Sequence, residues 1–268
     1  MRKIFFVAVI CSFATACSRN AVTGKNQLLL VPESEMQTMA ATQYKEFLDS
    51  SKVVSPSVKD AAMVKRIGQR ITTAITNYYK GQGKANVLDG YTWEYNLVES
   101  NQVNAWCMPG GKIVVYTGLL PITQNEAALA VVMGHEVTHA LARHGSERMT
   151  QGLAQQFGGA ALSVLLANKS QGVQNLAMTA YGVGSNYGVL LPFSRNQEYE
   201  ADQFGLNFAA MAGYSPQEAI PLWQRMEQAG GGNRPPEFLS THPSEGNRIA
   251  RLEKQMPEAL KYYKPVSN

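Results

Sequence analysis

The chain has 268 residues, with 24 lysines and arginines against 20 aspartates and glutamates and a formal net charge of +4. Two of those cations, Arg2 and Lys3, precede an apolar run at 4–13 in the manner of a secretory leader; 24 less two leaves 22 basic against 20 acidic side chains, a net of +2 that argues against nucleic acid as a partner. About 250 residues remain, enough for one core without disulfide staples, and no later stretch offers the ~20 apolar residues of a membrane-spanning helix.

The small residues Ala14, Thr15 and Ala16 lead directly into Cys17. A cysteine at that place resembles the lipobox of bacterial lipoproteins, although Ala14 stands where leucine is usual. The resemblance implies that 1–16 is a signal peptide and that Cys17 carries the lipid. Ser18, rather than an aspartate, follows the cysteine, which points to lipid anchoring on the periplasmic face of the outer membrane. Of three cysteines, Cys11 would leave with the leader and Cys17 would be acylated, so Cys107 is the one remaining thiol and no internal disulfide can form. Residues 17–31 read as a lipidated tether that needs no structure of its own, and 32–268 as a single domain.

Helical periodicity covers 33–49 and 58–80, the second with Ala61, Val64, Ile67, Ile71, Ala74, Ile75 and Tyr78 at spacings of three, four and seven. Strands are predicted at 91–98, 102–108 and 112–116, the last two joined through Pro109, Gly110 and Gly111. Thr123 and Glu126 have the spacing of a capping box, which would open a helix running to about His144 with Gly145 as terminator. Its stretch 127–134 is apolar on every face and is expected to be buried. Residues 151–193 carry a single charge, Lys169, and are read as helices with a mobile lid. Ser194 with Gln197 is a second capping box, for a helix ending near Gly213. Ser215, Pro216 and Glu218 start another that stops at the glycines 230–232, and a last helix is expected over 244–255. The chain is thus expected to be α+β and predominantly helical, with a small β-sheet.

His135, Glu136, Val137, Thr138 and His139 put two imidazoles one turn apart, because four residues advance about 400° round a helix. Glu136, displaced by about 100°, can lean toward a metal-bound water rather than toward the metal, as a general base does. Two bare imidazoles and a carboxylate would be costly on a buried helix unless they hold something. Catalytic zinc takes three protein ligands and leaves a fourth place for water. Ala142 and Gly145 stand where the metzincin extension would need glycine and histidine, so the third ligand comes from elsewhere. On the helix near Ser194, Glu198 and Asp202 share a face while Glu200 points about 200° away. Glu198 is the expected third ligand of one zinc ion per chain, with Asp202 placed to accept the free N–H of a ligating histidine. His144, five residues past His139, is expected off the ligand face, supporting the helix end with Arg143.

The set of HExxH at 135–139, ExxxD at 198–202 and His242-Pro243 followed by Arg248 resembles the HtpX/BepA/LoiP-type zinc metallopeptidases, which are related to the CAAX prenyl proteases. The likeness extends over about residues 60–255. It implies a zincin-like catalytic core with the sheet over the HExxH helix, and zinc completed by Glu198 with Asp202 behind. It also implies that His242 and Arg248 help to bind or stabilise the tetrahedral intermediate. Asn104 and Ala105 match the family pattern on the strand where an extended substrate would add by β-pairing.

The expected activity is zinc-dependent endopeptidase cleavage of unfolded or misassembled envelope polypeptides, from a compact lipoprotein like LoiP. An outer-membrane protein assembly factor or chaperone with secondary or latent proteolysis is the competing reading. A purely structural metal site would have no use for Glu136.

Overall fold

A computed structural model describes residues 17–186, 190–230, 237–242 and 247–265. Residues 1–16, read from the sequence as a leader, the glycines 231–232 and the residues 243–246, where the last helix was expected to begin, lie outside them. Within the described residues the chain is mainly helical, with two small sheets.

Residues read as a tether instead form a hairpin, β1 (Cys17–Arg19) paired antiparallel with β2 (Asn26–Leu28). Asn20 and Gln27 are buried in it, a degree of enclosure that a tether does not have. Helix α1 (Glu33–Ser50) and helix α2 (Lys59–Gly81) follow where periodicity placed them. Val64, Ile67, Ile71 and Ile75 form a fully buried stripe along α2, because spacings of three and four return to the same helix face.

The main sheet has the order β3 (Glu94–Val98), β5 (Lys112–Tyr116), β4 (Ala105–Met108). Strand β5 is central, parallel to β3 and antiparallel to β4. Alternation along β5 sends Ile113 and Val115 into the main core and Val114 toward Tyr44 on α1. Trp106 packs edge-on against Tyr44 and Phe47 of α1.

A short helix α3 (Leu120–Thr123) precedes the central helix α4 (Glu126–Leu141). The expected Thr123 capping box is not used: Thr123 closes α3, Gln124 has φ 65°, and Asn125 Oδ1 accepts the Ala128 N–H at 2.8 Å. Asparagine captures the cap because its short amide reaches the third following amide. Every residue from Ala128 to Leu141 is buried. Helix α4 also stops earlier than expected: Arg143 adopts φ 58° and His144 begins α5 (His144–Leu166), which contains Gly145. Helix α5 pairs with α6 (Gln171–Ser185), so most of 151–193 is helical.

Helix α7 (Leu191–Met211) starts before the expected Ser194 box, and Gly213 with φ 82° follows its end. Gln197 is drawn inward, donating to Glu147 and to the His144 carbonyl. A 3-10 turn at Pro216–Glu218 leads into α8 (Ala219–Gly230); α9 (Glu237–Thr241) and α10 (Arg248–Tyr262) complete the described chain. The last helix, expected over 244–255, instead continues through Pro257, which lies inside α10, where packing of Leu252 and Ala259 into the core offsets the missing N–H.

Helices α4 and α7 cross at two glycines. A Cβ on Gly134 would lie 2.6 Å from the Gly205 carbonyl oxygen, and one on Gly205 would lie 2.7 Å from the His135 amide nitrogen. Only backbone fits there, and this contact sets His135 beside the next turns of α7, which carry Asp202 and Glu198. Gly205→Ala is therefore expected to lower stability by about 1–3 kcal/mol despite the better helix propensity of alanine. Thermal melting with zinc titration checks this; a variant as stable and as tightly metal-binding as wild type would show that the crossing has slack.

Candidate active site

Four side chains from three segments converge inside the core. His135 and His139 come from α4, Glu198 from α7 and His242 from the residue after α9, and one donor atom from each lies within 4.8 Å of all the others. His135 Nε2 is 3.1 Å from His139 Nε2, 3.2 Å from Glu198 Oε2 and 3.2 Å from His242 Nδ1. His139 Nε2 is 3.3 Å from Glu198 Oε1. Each of the four is less than a tenth exposed.

The far edges of both α4 imidazoles are occupied. Asp202 Oδ1 lies 3.0 Å from His135 Nδ1 and accepts its N–H, so Nε2 is the nitrogen that faces the cluster and that a metal would take in place of a proton. His144 Nδ1 lies 2.8 Å from His139 Nδ1 and does the same for the second ring. His144 was expected to point away, and would have done so on a continuous helix; the break at Arg143 turns it back. Its other nitrogen meets Glu200 Oε2 at 3.1 Å. Glu200 thus points away from the donor cluster, as the face argument required, but toward a partner that spacing did not reveal.

Arg248 is 1 % exposed and locked: it donates to Asp202 Oδ1 at 2.5 Å, and its guanidinium lies 3.4 Å from the centre of the Trp223 ring. It stands beside the Nδ1 edge of His135, with Nη2 3.9 Å from Glu198 Oε2 and Nη1 3.5 Å from the His242 carbonyl. The family resemblance implies a role at the intermediate; in this geometry its shortest contact is with Asp202, which it braces. Asn104 and Ala105 lie at the start of β4. The Asn104 carbonyl accepts from Tyr116 of β5, so the Ala105 N–H points to the other edge, where Asn104 Oδ1 accepts it at 2.9 Å. That edge pairs with no strand among the described residues.

Burial pushes the Glu136 carboxyl above its ordinary pKa even though His242 and His135 oppose the shift. Its Oε1 is buried without a hydrogen-bond partner, and His242 Nε2 lies 3.4 Å from it. Burial would disfavour the His135 cation, but Asp202 and Glu198 outweigh it and bring its pKa up to about 9. His139 lies in the same cluster, yet there burial dominates and lowers its pKa well below the ordinary value. Burial also lowers His144, so it can accept at Nδ1. Glu198 is held well below the carboxylate range: burial raises it, and the three histidines more than reverse that. Burial likewise pushes the Cys107 thiol well up, and it lies outside the donor set. Converging Nε2 lone pairs, an ionised carboxylate and an unsatisfied neighbouring carboxylate oxygen fit a tetrahedral zinc.

For Asp202, burial raises the pKa, but Arg248 and His135 prevail and depress it. The resulting stability is fully present above the unfolded value of about 3.9 and is lost as pH falls through the lower folded value. Asp202→Asn is expected to cost the metal-free protein about 3 kcal/mol at neutral pH, because the buried Arg248 loses its closest carboxylate and keeps only the longer contact with Glu198. Melting from about pH 7 down to about pH 2 should show the wild-type advantage closing only in acid; a constant gap would mean that the pair does not titrate.

Residues 63–256 match the sequence profile of Peptidase family M48. The Mitochondrial metalloendopeptidase OMA1 of Schizosaccharomyces pombe is 38% identical over 168 residues, covering 62% of this chain and 48% of the relative. The OMA1 of Arabidopsis thaliana is 40% identical over 190 residues, covering 70% and 37%. The Beta-barrel assembly-enhancing protease of Escherichia coli is 33% identical over 163 residues, covering 59% and 33%. The chain thus spans half or less of the length of these relatives. Since the family profile extends across the HExxH helix, the ExxxD helix and His242, this chain belongs to peptidase family M48.

Proposed function

We propose that the protein is an endopeptidase of the bacterial envelope that cleaves unfolded or misassembled polypeptides, with zinc held by His135, His139 and Glu198. The observation that carries this reading is Glu136: a buried carboxylate oxygen without a hydrogen-bond partner, next to a converged set of nitrogen and oxygen donors. A structural metal site would have no need of it.

Zinc bound there supplies a Lewis acid that polarises the scissile carbonyl and acidifies a water. Glu136 takes the proton from that water and later delivers it to the leaving amine. Its raised pKa suits the exchange, because a base works best near the operating pH. His242 stands at the fourth corner of the donor set, within 3.4 Å of Glu136. From there its Nε2 edge, on the Glu136 side of the site, would face the oxyanion that develops on the attacked carbonyl. Asp202, backed by Arg248, holds the His135 tautomer. The substrate lies extended along the open edge of β4, displacing the Asn104 side chain from the Ala105 N–H.

Envelope substrates and the outer-membrane address are supported by the leader ending at Cys17 and by the name of the Escherichia coli relative. That same name favours a second reading, in which the chain assists β-barrel assembly and cleaves only occasionally.

Glu136→Gln is expected to retain one zinc per chain and to lose at least about 100-fold in turnover of an unfolded protein. Metal analysis and a casein assay measure this; a wild type that binds zinc but never cleaves would move the choice to the assembly factor. Cys17→Ser is expected to shift the protein from the membrane to the soluble periplasmic fraction, and unchanged fractionation would remove the lipid anchor.

A further inference from the structure

The last carbonyls of a helix have no partner within it and must be satisfied from outside. At the end of α4 those carbonyls lie one to three residues beyond His139, and α5 begins too soon for an ordinary glycine cap. Remote side chains supply the donors. Asn20 donates to the Leu141 carbonyl at 3.1 Å, Gln27 to the Ala142 carbonyl at 2.6 Å and Tyr91 to the Ala140 carbonyl at 2.9 Å.

Two of these three donors belong to the β1–β2 hairpin, whose turn is itself fixed. Asn20 Oδ1 accepts from the Val22 and Thr23 amides, the Asn20 amide donates to the Lys25 carbonyl, and Gly24 takes φ 71°. The same turn presents Lys25, which pairs with Glu200. Glu200 accepts from His144 Nε2, and His144 Nδ1 accepts from His139 Nδ1–H. The hairpin therefore grips His139 twice, once through the backbone just after it and once through a chain of side chains behind its ring.

We propose that the N-terminal hairpin is a positioning element of the metal site, orienting His139 through the α4–α5 junction and through Lys25, Glu200 and His144. This rests on the zinc-site reading above. It makes the segment next to Cys17 part of the hydrolytic apparatus, so displacing the hairpin weakens metal binding without touching a donor residue.

The test uses the full chain, with zinc affinity measured by chelator competition and the ligand field by the visible spectrum of the cobalt(II)-substituted protein. Asn20→Ala with Gln27→Ala, and separately Glu200→Ala, are expected to weaken zinc binding about 10- to 100-fold and to shift the cobalt bands. Glu200→Gln keeps an oxygen for His144 and should restore most of the affinity, as a merely structural loss would not. Lys25→Met should have a smaller effect, because the lysine end of the pair is 59% exposed. If the Asn20/Gln27 double variant fails to fold, the Glu200 pair decides. Zinc affinity and cobalt spectra identical to wild type in Glu200→Ala, whatever its melting temperature, would overturn the proposal; a wild type that binds no zinc would instead overturn the metal-site reading.

Discussion

The backbone contact between Gly134 and Gly205 is the constraint on which the rest of the site depends. It brings α4 and α7 closer than any pair of side chains would allow, and places the imidazole of His135 between two carboxylates one turn apart on the other helix. Glycine costs helix stability at both positions. That cost is offset because α4 is enclosed on every side, by the sheet, by α2 and by α7, so tertiary packing rather than propensity keeps it helical.

Enclosing ionisable groups in such a core is unfavourable unless each finds compensation. Here the compensation is layered. Arg248 and Trp223 stabilise Asp202, Asp202 orients His135, and Glu200 with His144 orients His139. The layers end at Glu136, whose Oε1 has no hydrogen-bond partner. Arg248 Nε on the far side is likewise unpartnered, but Glu136 Oε1 is the unsatisfied acceptor beside the converging donors, the pattern expected of a proton acceptor rather than of a structural salt bridge.

Two edges of the molecule connect this interior to the outside. Strand β4 keeps an open edge in which the Ala105 N–H is held only by the neighbouring Asn104 side chain. The β1–β2 hairpin satisfies the carbonyls that the abrupt α4–α5 junction would leave bare. One edge suits substrate pairing, and the other ties the start of the folded chain to the metal-ligand helix.

What could be read without coordinates depended on periodicity and fixed spacing. The buried stripe of α2, the three strands, the apolar helix around residues 127–134, and the pairing of His135 with His139 and of Glu198 with Asp202 all follow from 3.6- and 2-residue repeats. These are local properties, and local sequence determines them. The competition between Thr123 and Asn125 for the cap, the reversal at Arg143 and the persistence of α10 through Pro257 were decided by packing, which outweighs weak local preferences. The partnership of His144 with His139, the locking of Arg248 behind Asp202 and the capture of α4 carbonyls by Asn20 and Gln27 join residues up to 121 positions apart. Sequence by itself determined the chemical inventory and the helix faces that carry it; only the tertiary structure decided which groups complete one another, because hydrogen bonds across such separations depend on how the helices cross.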